Sequence, residues 1–144
     1  MRLLLTSGGV TNPSIRSALV ELLGKPIEES TALFIPTAGY GHPMVEPEGV
    51  WRSISGRTQN PMVDLGWRSV GVLELTALPS LPRERWTAWL ARTDVLLAEG
   101  GDAAYLAHWM RESGLAGLLP TLPLVWVGMS AGSMVMAPAM ARTS

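Results

Sequence analysis

Near its carboxyl end the chain reads "PLVWVGMSAGSMVMAP" (123–138), an apolar, strand-like run driven into Gly128-Met129-Ser130-Ala131-Gly132. A Gly-x-Ser-x-Gly run is how a nucleophilic serine is commonly presented. The glycines permit a tight, strained turn from strand to helix, and the turn leaves the hydroxyl at the strand's end. The same turn aims the next backbone N–H, that of Ala131, toward the place where an oxyanion would form. An ordinary strand–turn–helix junction produces the same letters, because the pattern recurs by chance. A second piece of chemistry is therefore needed. "EGGD" (99–102) offers one: Gly100 and Gly101 end an apolar run and precede Asp102, a helix N-cap residue. Such a junction leaves backbone N–H groups free to face a ligand. Either glycine is a candidate for the second oxyanion donor beside Ser130.

A serine used this way also needs a base, and the chain has 2 histidines, both upstream of it. His42, in "TAGYGHPM", falls on a loop expected at the same edge as the serine. It reads as a general base or, more conservatively, as a surface or substrate-contacting residue. His108 falls well inside a helix, about 9 Å along the axis at ~1.5 Å per residue, which suits a helix-surface or packed histidine. Glu99 could touch a substrate amine; the plainer reading is a solvated or capping carboxylate at a strand end.

The elements that must position these residues follow one rhythm of short apolar run, glycine-rich turn and amphipathic segment. Strands are expected at 2–7, 31–37, 69–75, 94–101 and 122–129. Helices are expected at 12–24, with Asn12 as N-cap, Pro13 at the first position and Gly24 as terminator, at 81–93, and at 102–114. Another helix starts at "AGSMVMAPA" (131–139). Ile15, Leu19, Leu22 and Leu23 form the buried stripe of the first helix, and Trp86, Trp89 and Leu90 one face of the second. The stretch 38–68 is a long functional loop with one irregular helix around 47–54. Strands alternating with helices, the strands almost wholly apolar, imply a doubly wound α/β fold with a parallel sheet covered on both faces. Ligands bind such sheets at the carboxyl ends of the strands, the edge on which "TSGG", "TAGYGHP", "EGGD" and "GMSAG" all open.

Composition narrows the classes. At 144 residues the chain fits one α/β domain with a sizeable core. A net charge of −1 with no like-charged run argues against a nucleic-acid partner. With 0 cysteines there is no disulfide scaffold, thiolate nucleophile or cysteine zinc site. The amino terminus lacks the form of a signal peptide, and no window reaches the ~18 apolar residues of a membrane span. The expected location is the cytoplasm. Met129, Met134, Met136 and Met140 are spaced as in a buried helix and are expected in the core, with no metal site. Trp51 and Trp67 are candidates to line the crevice. G-x-G-x-x-G is absent and no acidic residue ends the second strand, which discounts a dinucleotide.

"LLLTSGGVTNPSI", "LLGKPIEESTALFIPTA", "EGGDAAYLAHWMRESGL" and "GMSAGSMVMAP" together resemble the dipeptidase E group of peptidase family S51, over essentially the whole chain. The resemblance implies a sheet like that of class I glutamine amidotransferases, with serine in place of their cysteine, and no metal or organic cofactor. It implies cleavage of short peptides, dipeptides with an N-terminal aspartate above all. Ser130 takes the nucleophile's position, and Ala131 with Gly100 or Gly101 the oxyanion hole. The family's histidine and orienting acid lie after the nucleophile, where this sequence has fourteen residues without either. The chain is thus expected to be the nucleophile-bearing portion, incomplete at its carboxyl end and inactive alone. A C-terminal remainder or companion chain would supply histidine and acid, and a homodimer is a further expectation, since ending beside the nucleophile strand should leave an open sheet edge. A non-catalytic fragment or pseudoenzyme that binds small acidic peptides or a partner chain is the competing reading. An amidotransferase proper is disfavoured by the missing cysteine.

Overall fold

The computed structural model describes residues 1–136. Five parallel strands form one sheet: β1 (Arg2–Thr6), β2 (Thr31–Ile35), β3 (Ser69–Val72), β4 (Val95–Ala98) and β5 (Val125–Met129), in the order β1-β5-β4-β2-β3. Interleaved are α1 (Pro13–Leu23), α2 (Thr37–Tyr40), α3 (Pro47–Ile54), α4 (Arg83–Ala91), α5 (Ala103–Glu112), α6 (Leu115–Leu118) and α7 (Ala131–Met134). Among the described residues no helix is long and apolar enough to cross a membrane.

The strands are apolar on both sides because both faces are covered. One face carries Leu96, Ala98 and Trp126 against Trp86, Leu90, Leu106, Leu115 and Ala131 of the helices that follow β3, β4 and β5. The other carries Phe34, Leu97, Val125 and Val127 against Leu19 and Leu23 of α1 and Met62 of the long loop. The chain therefore leaves β1 toward one face and β5 toward the other. That divergence opens a crevice between neighbouring strands at their carboxyl ends, and β5, the strand that carries Ser130, lies inside the sheet between β1 and β4.

The caps fall where the residue types require. Asn12 accepts from the Ile15 N–H (2.9 Å) and Gly24 ends α1 in the left-handed region at φ 72°; Asp102 accepts from the N–H groups of Ala104 and Tyr105 at the head of α5. Strands end earlier than the apolar runs suggest. Pro36 has no N–H to continue a ladder, so β2 stops at Ile35 and Thr37 starts α2, a short helix hidden in the glycine-rich stretch. After Val72 the Leu73 N–H still reaches Phe34 (2.8 Å), and then Leu75–Ser80 winds into a 3₁₀ turn.

Two expectations need correction. Met134 is 53% exposed, because the inward positions of α7 are Ala131 and Gly132, with Val135 following the helix into the core. Trp51 stands in solvent, and Trp67 packs on the α1 face with its indole N–H on the Met62 carbonyl (2.8 Å); neither lines the crevice. Residues 137–139 of the expected last helix, and Met140, lie outside the described residues. Among the described residues the sheet has two edge strands, β1, where Leu3 and Leu5 are 42% and 44% exposed, and β3, where Val70 and Val72 are exposed.

Candidate active site

Ser130 sits at φ 53°, ψ −108° between β5 and α7, one of two non-glycine residues with positive φ among the described residues. Such a conformation costs on the order of 1–3 kcal/mol and persists only where the surroundings dictate it. Here they do. A Cβ on Gly128 would lie 2.4 Å from the Gly132 carbonyl oxygen, and one on Gly132 would lie 2.3 Å from that of Ala98. Both outer glycines of the motif are thus fixed by backbone packed on backbone: the first turn of α7 folds over β5 and presses against β4. The Ser130 N–H donates to the Thr6 carbonyl (3.1 Å), and the Ser130 carbonyl accepts from the N–H groups of Ser133 and Met134 (both 2.9 Å). The residue itself is exposed, so the turn presents its hydroxyl to solvent.

Three side chains that the sequence alone did not single out hold this turn. The Trp126 indole N–H, fully buried in β5, donates to the Gly132 carbonyl (2.8 Å). The Ser133 hydroxyl accepts from the Thr6 N–H (2.9 Å) and donates to the Thr6 carbonyl (2.6 Å), locking α7 to the end of β1. The Thr6 hydroxyl donates to the Gly128 carbonyl (2.7 Å) and accepts from the Gly9 N–H (2.9 Å). The signal for all three was present as polar hydrogen-bonding groups within or beside the glycine turns. Only the strand pairing shows that they meet.

The glycine pair of "EGGD" divides by geometry. A Cβ on Gly100 would lie 3.3 Å from the Ser130 Cβ, so Gly100 borders the serine directly. Gly101, at φ 143°, instead presses on α2, where a Cβ would lie 2.1 Å from the Ala38 carbonyl oxygen. On either side the Glu99 N–H is bonded to Ile35 (3.1 Å) and the Asp102 N–H to Ala38 (2.9 Å). Ala131, fully buried, opens α7 directly after the serine, and helix-opening N–H groups have no partner within their own helix.

Beside this turn lies a cavity of about 300 Å³ lined by His42, Arg52 and Glu99, by Gly100 and Gly101, and by the backbone of Gly39 and Gly49. His42 is exposed there, and its Nδ1 accepts from the Met44 N–H (3.0 Å). With Nδ1 occupied as an acceptor, the neutral ring carries its proton on Nε2, which then cannot take one from a serine. The structure thus brings His42 into the cavity on the wrong tautomer for a base. His108 is exposed on α5 with its ring edge-on to Trp109 (5.3 Å), and it does not line the cavity.

Glu99 is the outlier. A solvated or capping carboxylate was the plain expectation; the residue is 8% exposed, and its Oε2 has no hydrogen-bond partner among the described residues. Burial pushes its pKa up to about 7, with a Ser53 contact pulling down and the nearby Glu74 charge pushing up. Glu74 is itself anchored by the Thr37 hydroxyl (2.6 Å).

The chain has counterparts among known proteins. Residues 3–144 match the model of peptidase family S51. No curated protein matches the chain. Among solved structures, the chain is similar to the 1.5 Å crystal structure of a peptidase E candidate from Listeria monocytogenes EGD-e, with TM-score 0.65 and 21% identity. That likeness, one of fold, covers 94% of this chain and 61% of the Listeria chain.

Proposed function

The chain belongs to peptidase family S51, and from that premise we propose that it is the nucleophile-bearing portion of a serine peptidase that cleaves short peptides, dipeptides with an N-terminal aspartate foremost. The observation that carries the reading is the strained, exposed Ser130 with Gly100 packed at its side. In the reaction the Ser130 Oγ attacks the scissile carbonyl carbon, and the carbonyl oxygen becomes an oxyanion held by the N–H groups of Ala131 and of Gly100. Gly101 is the weaker candidate for that second donor, since its contact with Ala38 already accounts for its being glycine. The proton leaving Oγ passes to an imidazole and then to the departing amine. Neither His42 nor His108 is arranged to take that proton, so the imidazole and its orienting acid come from outside these 144 residues.

A serine-directed fluorophosphonate probe tests this reading, because it labels only an activated hydroxyl. Labelling at Ser130 in the protein as its host makes it, located by peptide mass spectrometry and lost in Ser130→Ala, is the expected result. The 144-residue polypeptide alone should turn over aspartyl dipeptides negligibly, since a missing base removes several orders of magnitude in rate. Robust turnover by that polypeptide would return the base to His42. The second reading, a non-catalytic module that binds small acidic peptides, is favoured by that same lack of an arranged histidine. It predicts peptide binding with no labelling in any form of the protein.

A further inference from the structure

The cavity next to Ser130 has a carboxylate in its wall and little to satisfy it. Glu99 follows directly on β4 and is more than nine-tenths buried, yet Oε2 has no partner among the described residues. A buried carboxyl oxygen without a partner is costly to a folded protein, and a cationic ligand group on Oε2 would offset that cost. The lining says which kind. Its inner wall is backbone: a Cβ on Gly39 would lie 3.2 Å from Glu99 Oε2, so glycine there keeps open the space over the carboxylate. The other charged or titratable groups near it are Glu74 behind the carboxylate and His42, Glu46 and Arg52 lining the same cavity.

We propose that this cavity is the subsite for the free amino terminus of the peptide, with the Glu99 carboxylate receiving the α-ammonium group. The inference rests on the peptidase reading of Ser130 and adds to it the feature of the substrate that the site selects. Position supports it. Gly100 lines the cavity and also touches the serine. An α-nitrogen and the carbonyl carbon of the same residue are two bonds, about 2.5 Å, apart. An ammonium seated on Glu99 therefore brings the first peptide carbonyl toward the Ser130 side of Gly100. Size supports it as well, since about 300 Å³ lies at the lower end of the ~300–1,000 Å³ of ligand clefts and suits a peptide of very few residues. A metal ion would want several oxygen donors, and among the described residues no group of three or more His, Cys, Asp or Glu gathers. An ammonium needs one carboxylate, and Glu99 supplies it.

The test is equilibrium titration of the Ser130→Ala protein with aspartyl-alanine and with its N-acetylated form. The free amine should bind at least tenfold more tightly, the ratio expected for one hydrogen-bonded charge pair of roughly 1.5–3 kcal/mol. Glu99→Gln in the same background should erase that ratio. Gly39→Ala, which crowds the carboxylate without changing any charge, should weaken aspartyl-alanine binding on its own. Equal binding of the two peptides overturns the inference. So does no binding of the free dipeptide at millimolar concentration, or a ratio that persists in a folded Glu99→Gln protein. The fate of the peptidase reading is decided separately by fluorophosphonate labelling of Ser130, so each can fail while the other stands.

Discussion

Replacing Glu99 by glutamine should make the protein more stable, and only on the alkaline side. The folded carboxyl holds its proton to about pH 7, against an ordinary value of 4.5. Between those limits the folded state binds more protons than the unfolded chain, so stability falls as pH rises through that window and levels off above it. At about 1.4 kcal/mol per pH unit, the full loss is on the order of 3 kcal/mol, of which about 2.5 kcal/mol falls between pH 5 and pH 8.5. Glutamine has nearly the same shape and no charge, so its stability curve lacks that term. Every other titrating group is common to both proteins and cancels in the difference. The assay is urea denaturation of both proteins at several pH values, with thermal melts as a second measure. Relative to the variant, the wild type should lose roughly 5–10 °C in melting temperature over that pH range, at ~2–4 °C per kcal/mol for a domain of this size. Two curves that stay parallel from pH 5 to 8.5 would refute the argument, because they would mean that the carboxylate is already hydrated or paired.

The remaining expectations concern the turn around Ser130. Ser130→Gly should abolish probe labelling while stabilising the fold by on the order of 1 kcal/mol, the relief of φ strain less the entropy that glycine adds to the unfolded chain; a destabilised variant would mean the serine is not strained. Gly132→Ala places a methyl group where the Ala98 carbonyl oxygen is 2.3 Å away and should cost more than about 3 kcal/mol or prevent folding, as read by circular dichroism and expression yield. Trp126→Phe removes the indole N–H, orphaning the buried Gly132 carbonyl, and leaves a smaller ring in a fully buried site; the lost bond alone should cost about 1–3 kcal/mol in chemical denaturation, with the cavity adding to it. His42→Ala should leave labelling of Ser130 intact, and its loss would instead make His42 the base.

Much of the scaffold is legible without coordinates because local rules decide it. Asn12, Pro13 and Gly24 bracket α1 by capping chemistry alone, and Pro47 begins α3 where an irregular helix is expected. The glycines of "GMSAG" and "EGGD" likewise announce tight backbone. What each glycine accommodates is a tertiary matter: Gly100 faces Ser130, whereas Gly101 faces Ala38. Strand ends read too long because an apolar run does not say where its ladder stops. Met134 misleads because the helical stripe of α7 is set by which residues meet β4 and β5. Glu99 is the sharpest instance, since nothing local distinguishes a solvated strand-end carboxylate from one enclosed by α2, α3 and the long loop.

The reciprocal bonds between Thr6 and Ser133 join residues 127 positions apart, and among the described residues β1 pairs with β5 alone. β1 therefore finds this neighbour only once β5, the last of these five strands along the chain, is available, and closures over such separations form slowly. Until they form, the bonds from Thr6 to Ser130 and Ser133 are missing, and the packing of Gly132 on Gly128 of β5 and Ala98 of β4 is left to hold the positive-φ turn. Full assembly of the turn that presents Ser130 thus waits on the pairing of β1 with β5, which couples the nucleophile's geometry to the longest-range contact among the described strands.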